Sequence, residues 1–132
     1  MRRPLAAAAL ALVLLLAGCG GEQAAGEAAV YQQITAREAK DMMDETPEAV
    51  VLDVREQSEY DAGHIPGAVL LPVGSIDADT AAAVLPEKDT PALVYCRSGN
   101  RSKTASQALA DLGYTQVYEF GGIRDWPYEI EE

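Results

Sequence analysis

Positive charge is scarce in this chain of 132 residues, which carries 10 lysines and arginines against 21 acidic residues. The resulting formal net charge of −11 at pH 7 argues against nucleic acid as a partner, because an acidic surface repels phosphate. Histidine is scarcer still, since His64 is the only one. Because Gly63 and the turn residues 65–67 flank it, we expect His64 to be a hydrogen-bonded structural residue rather than a general base.

Long hydrophobic runs are also lacking. The unbroken apolar stretch from Leu5 to Leu16 is shorter than the roughly 20 residues that a membrane-spanning helix needs. It follows the basic residues Arg2 and Arg3, which is the pattern of a secretory signal. The next residues, Leu16 to Cys19, resemble the lipobox of bacterial lipoproteins, in which a peptidase cuts before the cysteine and the sulfur then carries lipid. An uncut membrane anchor and a signal cut elsewhere are the alternatives.

This resemblance implies a division of the chain into three parts. Residues 1–18 are expected to be a lipoprotein signal peptide, residues 19–30 a flexible tether, and residues 31–132 one folded domain. It also implies lipid, palmitate included, on Cys19, and a membrane-anchored protein of the cell envelope that faces the periplasm or the exterior. The mature chain would carry 8 lysines and arginines against 21 acids, a net charge of −13.

Cysteine is the third scarcity, because the chain has only Cys19 and Cys96. With Cys19 lipidated, Cys96 would be the only thiol, which excludes an internal disulfide. Export implies an oxidising compartment, where a solitary reactive thiol is open to mixed disulfides and over-oxidation. We therefore expect a partner, either a reductant that keeps this thiol reduced or a thiol that accepts a group from it.

The most informative stretch of the chain is an apolar strand, residues 92–96, that runs into a small polar loop and then a helix. The pattern predicts a helix from Ser102 to Leu112, with Cys96 at the junction before the loop. Unpartnered N–H groups at such a helix start form a cradle for an anion. The helix dipole and nearby cations favour a thiolate, so we expect the pKa of Cys96 to fall from about 8.5 to roughly 3.5 to 7.5.

The loop after Cys96 supplies the candidate binding residues. They are Arg97, Ser98, Gly99, Asn100, Arg101 and Ser102. Arg97, Arg101, Lys103 and Arg124 together make up half of the cations of the mature chain, which suits a small anion. Two alternatives stay open: Cys96 as a small buried hydrophobe at a strand end, and Ser98 and Ser102 as turn and capping residues. Gly99 is expected to adopt a backbone conformation open only to glycine, or to allow close approach.

Four segments in order resemble the single-domain rhodaneses, the thiosulfate sulfurtransferases. They are Cys96–Ser102, which is similar to the active-site loop; Leu52–Arg55 and Gly63–Ala68, which are similar to the two upstream signatures; and Gly121–Trp126, which is similar to the C-terminal turn. The resemblance covers about residues 32–128. It implies an α/β fold of three layers, α/β/α, around a central and mostly parallel sheet. It implies no cofactor and no metal.

The order of predicted elements leads to the same fold class, because strands alternate with helices over short connections. Residues 49–54 are nearly all apolar, as in a parallel strand covered on both faces, and only Asp53 breaks the run. We expect Asp53 to pair with Arg55 rather than to act as an acid. The ligand site of such a sheet lies beyond the C-terminal ends of the strands, where Cys96 falls.

The expected activity is transfer of a sulfane sulfur from thiosulfate or another small anionic donor to a thiol or protein acceptor, through a persulfide on Cys96. Arg97 and Arg101 would attract the donor, and the loop amides would hold the persulfide charge. One alternative is a non-catalytic module that carries or senses persulfide sulfur. Another is a phosphatase or arsenate reductase of the Cys-loop type. The loop that such a resemblance implies has an Arg six positions after the Cys, whereas Arg101 lies five positions after Cys96.

Overall fold

The computed structural model describes residues 29–132, which form alternating strands and helices. The elements are β1 (Gln32–Gln33), α1 (Ala36–Glu45), β2 (Val50–Asp53), α2 (Gln57–Ala62), β3 (Val69–Leu70), α3 (Ala78–Val84), β4 (Ala92–Cys96), α4 (Asn100–Asp111) and β5 (Val117–Gly122). Two short 3-10 turns, Val73–Ser75 and Ile123–Asp125, complete them. The predicted signal peptide, nearly all of the tether and Cys19 lie outside the described residues.

The five strands form one sheet in the order β1-β5-β4-β2-β3, and every neighbouring pair is parallel. Buried strand residues alternate between the two faces of this sheet. One face packs against α3 and α4 through Ala81, Ala105 and Leu109, and the other packs against α1 and α2 through Ala39 and Tyr60. The predicted three-layer α/β/α fold with a parallel sheet is thereby confirmed.

Local sequence explains where the helices begin. Thr35 caps α1 by accepting a hydrogen bond from the Glu38 amide, and the Glu38 carboxylate accepts one from the Thr35 amide in return. Helix α4 begins at Asn100, two residues earlier than the sequence pattern predicts, because Gly99 takes a left-handed conformation (φ 107°) and lets the chain turn at once into the helix. Ser102 therefore lies inside the first turn and is not its cap.

Within residues 29–132, no helix has the length and apolar character needed to cross a membrane. The C-terminal segment returns to the fold through two backbone hydrogen bonds between His64 and Glu131, each 2.8 Å long. His64 Nδ1 lies 2.9 Å from the Tyr60 carbonyl oxygen, and the imidazole ring stacks on the Tyr60 ring. These contacts give His64 the structural role expected of it.

Candidate active site

Cys96 is the last residue of the central strand β4, and its side chain points toward α4. Only 1% of the residue is exposed. The Gly99 amide donates a hydrogen bond of 3.0 Å to the sulfur, and the amides of Ser98 and Ser102 also donate to it. The thiol thus lies at the floor of a loop whose N–H groups converge on it, a combination that a cysteine used only for packing does not require.

The balance between burial and hydrogen bonding sets the charge of this sulfur. Burial raises the pKa of the Cys96 thiol, but its hydrogen bonds with the Ser102 side chain and with the loop amides outweigh burial and lower the pKa below its ordinary value. The expected direction of the shift is therefore found. Its main cause is hydrogen bonding to the sulfur rather than the neighbouring cations.

The loop is held in place by the backbone of the Gly121–Gly122 turn. A Cβ atom on Gly122 would lie 2.0 Å from the Arg97 carbonyl oxygen and 2.6 Å from the Cα of Ser98, so no larger residue fits. The Arg124 amide donates to the same Arg97 oxygen at 3.2 Å. The C-terminal turn and the cysteine loop are therefore one structural unit, although they are distant in the sequence.

The predicted binding residues divide into exposed and buried groups. Arg97, Ser98 and Asn100 are exposed around the loop, whereas Gly99 and Ser102 are buried beneath it. The side chain of Arg97 forms no ion pair with any other residue in the range 29–132. Of the two arginines of the loop, it is the one without an ion pair in this part of the chain.

Arg101 is placed differently from Arg97. Its guanidinium donates two hydrogen bonds, of 2.8 and 2.9 Å, to the Glu59 carboxylate on α2. The hydrogen bonds from Arg101 hold the pKa of Glu59 at about 2, so the pair is charged throughout the neutral range. Attraction of an anionic donor by Arg101 stays a prediction, and Glu59 competes for the same guanidinium.

A buried carboxylate beneath the loop was not singled out from the sequence. Glu119 on β5 is 2% exposed, and its Oε2 accepts hydrogen bonds from the Ser102 hydroxyl at 2.5 Å and from the Gly121 amide at 3.0 Å. The Ser102 oxygen in turn lies 3.4 Å from the Cys96 sulfur. The available signal was an acidic residue inside an otherwise apolar strand, two residues before Gly121.

On the opposite face of the sheet, Asp53 is fully buried and pairs with Arg55, as expected. Arg55 donates from Nε at 2.9 Å and from Nη2 at 2.6 Å, and the Tyr95 hydroxyl donates at 2.6 Å. Burial and the hydrogen bond to Asp53 raise the pKa of Tyr95, which keeps this hydroxyl protonated. Within residues 29–132, no group of three or more histidine, cysteine or acidic side chains is placed to hold a metal ion.

Comparison with known proteins assigns the family. The model of the rhodanese-like domain matches residues 35–128, so the chain belongs to the rhodanese-like domain family.

One relative is the probable adenylyltransferase/sulfurtransferase MoeZ of Mycobacterium tuberculosis, which is 36% identical over 108 residues. That match covers 81% of this chain and 27% of MoeZ, so the chain spans about a quarter of the length of this relative. A second is the thiosulfate sulfurtransferase GlpE of Coxiella burnetii, which is 33% identical over 98 residues, 74% of this chain and 88% of GlpE.

A solved structure has the same architecture. The rhodanese-like domain of the Anabaena sp. Alr3790 protein superimposes with a TM-score of 0.68 at 30% identity, covering 77% of this chain and 80% of that domain. The relatives therefore support sulfur transfer as the general activity, and they agree with the expected class of protein.

Proposed function

We propose that this protein transfers a sulfane sulfur from thiosulfate, or from a similar small anionic donor, to a thiol or protein acceptor. The observation that carries the proposal is the buried Cys96 sulfur with loop N–H groups converging on it and a lowered pKa. A thiolate is the form of cysteine that attacks sulfur. The name of GlpE supports thiosulfate as the donor.

The proposed reaction has two steps. In the first, the Cys96 thiolate attacks the outer sulfur of thiosulfate, the bond between the two donor sulfurs breaks, and sulfite leaves with the electron pair. The transferred sulfur then stands about 2 Å beyond the cysteine sulfur and carries one negative charge. In the second step, a nucleophilic acceptor takes that sulfur and restores the thiolate.

The residues of the loop divide the work of this reaction. The amides of Ser98, Gly99 and Ser102 already point at the sulfur, so they stabilise negative charge there without further rearrangement. Arg97 is exposed at the loop and would attract the sulfonate end of the donor. Ser98 and Asn100 would line the mouth through which donor and acceptor enter.

The test is thiosulfate:cyanide sulfurtransferase activity of the full chain. We expect the wild type to produce thiocyanate and the Cys96→Ser variant to lose at least about 1,000-fold in rate. Cys19→Ala is the matched control, because it removes the other thiol and is expected to keep the rate. Activity that persists in Cys96→Ser would remove the mechanism. A sulfur loaded on Cys96 without turnover would favour a carrier, and hydrolysis of p-nitrophenyl phosphate would favour a phosphatase.

We also propose that the protein works at the cell envelope as a lipoprotein anchored through Cys19. The support is the sequence from the basic start to the lipobox-like residues 16–19. The wild type should fractionate with membranes and carry lipid, and Cys19→Ala should be found in the soluble fraction. A wild type found wholly in the soluble fraction would contradict the anchor.

A further inference from the structure

The two arginines of the cysteine loop differ in what surrounds their charge. Arg97 is exposed and forms no ion pair with another residue in the range 29–132. Arg101 is partly buried, and both oxygens of the Glu59 carboxylate accept hydrogen bonds from its guanidinium, at 2.8 and 2.9 Å. A guanidinium bound through two such hydrogen bonds has its charge compensated, so it attracts an anionic donor less than an unpaired one does.

The pair lies beside the reactive sulfur. Arg101 is in the first turn of α4 and precedes Ser102, whose oxygen is 3.4 Å from the Cys96 sulfur. The hydrogen bond with Glu59 raises the pKa of Arg101 most, burial opposes this, and the charges of Glu59 and Cys96 raise it further. Arg101 is therefore within electrostatic range of the sulfur, and a donor that approaches the sulfur meets the charge of the pair rather than that of Arg101 alone.

The Glu59 carboxylate is held in place independently of Arg101. Its Oε2 accepts a hydrogen bond from the Glu56 amide at 3.1 Å, which is part of the capping box at the start of α2. Helix α2 covers one face of the sheet and α4 covers the other, so the pair joins helices of the two outer layers. Arg101 cannot turn to an incoming donor without leaving this fixed carboxylate unpaired.

We propose that Glu59, acting through Arg101, is a positioning residue that sets which donor charge the site accepts. Compensation of one of the two loop arginines weakens the attraction for a doubly charged donor such as thiosulfate more than for a singly charged one, because the Coulomb energy scales with the charge of the donor. This inference rests on the proposed function and extends the donors to singly charged sulfane compounds, the organic thiosulfonates. The Cys96 thiolate would take the outer sulfur of a thiosulfonate as the S–S bond breaks and the sulfinate leaves with the electron pair.

The first experiment measures alkylation of Cys96 in the full chain by neutral iodoacetamide and by anionic iodoacetate, followed by mass spectrometry of the Cys96 peptide. The ratio of the iodoacetate rate to the iodoacetamide rate reports the charge that an incoming anion meets, because a change in thiol ionisation alters both rates alike. In Glu59→Gln this ratio should rise about 1.5- to 2-fold at low ionic strength.

Glu48→Gln is the matched control for this change. It removes the same charge from an exposed position just before β2, at the end of the parallel sheet opposite to Cys96. The control should keep the wild-type ratio.

Arg101→Gln tests the same pair with the opposite sign, and it keeps the test decisive if Glu59→Gln does not fold. It leaves the Glu59 carboxylate uncompensated beside the loop, so the ratio should fall below the wild-type value. The double variant of Glu59→Gln with Arg101→Gln should return close to the wild-type ratio. Loss of a purely structural brace would instead act on both probes alike and in the same direction in both single variants. A ratio that stays unchanged or falls in Glu59→Gln, or that rises in Arg101→Gln, would overturn the proposal.

The second experiment compares kcat/KM for thiosulfate and for methanethiosulfonate, which carries one negative charge, with cyanide as the acceptor. Glu59→Gln should raise kcat/KM for thiosulfate by about 2- to 5-fold and for methanethiosulfonate by no more than about 2-fold. An equal change for the two donors would overturn the proposal. The alkylation ratio does not depend on sulfur transfer, so a wild type that uses neither donor while the ratio responds as expected would contradict the proposed function and leave the effect of Glu59 standing.

Discussion

Two buried polar clusters lie at the same end of the sheet on opposite faces, and only one of them is closed by a cation. On the α1 and α2 side, Asp53 is bound by Arg55 through two side-chain hydrogen bonds and by the Tyr95 hydroxyl. On the α4 side, Glu119 and Cys96 meet through Ser102, and no lysine or arginine of residues 29–132 forms an ion pair with Glu119. Both clusters contain a buried carboxylate on a strand, so the carboxylate alone does not distinguish the two.

The two clusters differ in how completely their hydrogen-bond donors and acceptors are paired. In the Asp53 cluster each donor has its acceptor: Arg55 also donates to the Gly63 carbonyl at 2.7 Å, and the Tyr95 hydroxyl accepts from the Ile65 amide at 3.1 Å. Charge-assisted pairing through two hydrogen bonds fixes the geometry of both side chains. The Cys96 cluster instead has a thiol at the floor of a loop whose N–H groups are directed at the sulfur, an arrangement that suits a sulfur nucleophile.

Apart from removal of the Cys96 sulfur itself, the largest effect on activity is expected from Gly122→Ala. The added Cβ would occupy the place of the Arg97 carbonyl oxygen, so the loop must move away from the sulfur. A displacement of about 1 Å in a site of this kind costs roughly 100-fold, and we expect a loss of that size or more in kcat/KM for thiosulfate.

Gly74→Ala is the matched control for this change, because a Cβ at Gly74 meets nothing within 4 Å. It should keep the wild-type rate. Full activity in Gly122→Ala would show that the Gly121–Gly122 turn does not hold the loop.

The largest effect on stability is expected from Asp53→Asn, in the cluster where Arg55 pairs with the carboxylate. It leaves the buried guanidinium of Arg55 without its counter-charge, which typically costs about 3–5 kcal/mol in free energy of unfolding. Unfolding in urea measures this loss. The alkylation rate of Cys96 in the folded variant should stay within about twofold of the wild type, because the cluster lies on the other face.

The exposed pair between Lys40 and Asp44 on α1 provides the control for the Asp53 variant. Asp44→Asn removes the same charge from a solvent-exposed pair with i,i+4 spacing, so only a small change in free energy of unfolding is expected. If Asp53→Asn cost no more than Asp44→Asn, the distinction between a closed structural cluster and a surface pair would fail.

The smallest effect is expected from Glu59→Gln, which frees Arg101 beside the loop. Removing one negative charge and releasing a guanidinium should lower the KM for thiosulfate by about 2- to 5-fold at neutral pH. A raised KM would mean that Glu59 serves to hold Arg101 in place for the donor. Glu48→Gln, with the same change in net charge at an exposed position, should leave the KM unchanged.

The same pair has a pH dependence with a defined sign. Because the folded-state pKa of Glu59 is lowered to about 2, its pairing stabilises the fold above the ordinary carboxyl range and is lost as the pH falls toward 2. Acid titration of unfolding free energy should therefore show a smaller decrease in Glu59→Gln than in the wild type. An identical decrease would mean that the pair adds nothing to stability.

The sequence was sufficient to predict the fold and the place of Cys96 at the junction of a strand and a loop, because short local patterns determine both. The strand before Cys96, the glycine after it and the helix that follows are contiguous. Their pattern misplaced the start of α4 by two residues, since the left-handed turn at Gly99 is a property of the folded loop.

Local sequence patterns could not predict contacts between segments that are distant in the sequence. Glu119 meets Ser102 across 17 residues of sequence, and Glu59 meets Arg101 across 42. Both contacts depend on strand order and on which face of the sheet each helix covers, so a carboxylate within an apolar strand was visible but its partner was not. The pairing of Arg101 with Glu59 was missed for the same reason.

The most direct test of the account is the mass of the Cys96 peptide after the full chain is incubated with thiosulfate. A thiolate at the floor of an amide-lined loop predicts a gain equal to one sulfur atom on Cys96, which is removed by cyanide and absent in Cys96→Ser. A Cys96 peptide that stays unmodified in folded wild-type protein would contradict the claim that this loop is built to hold a second sulfur.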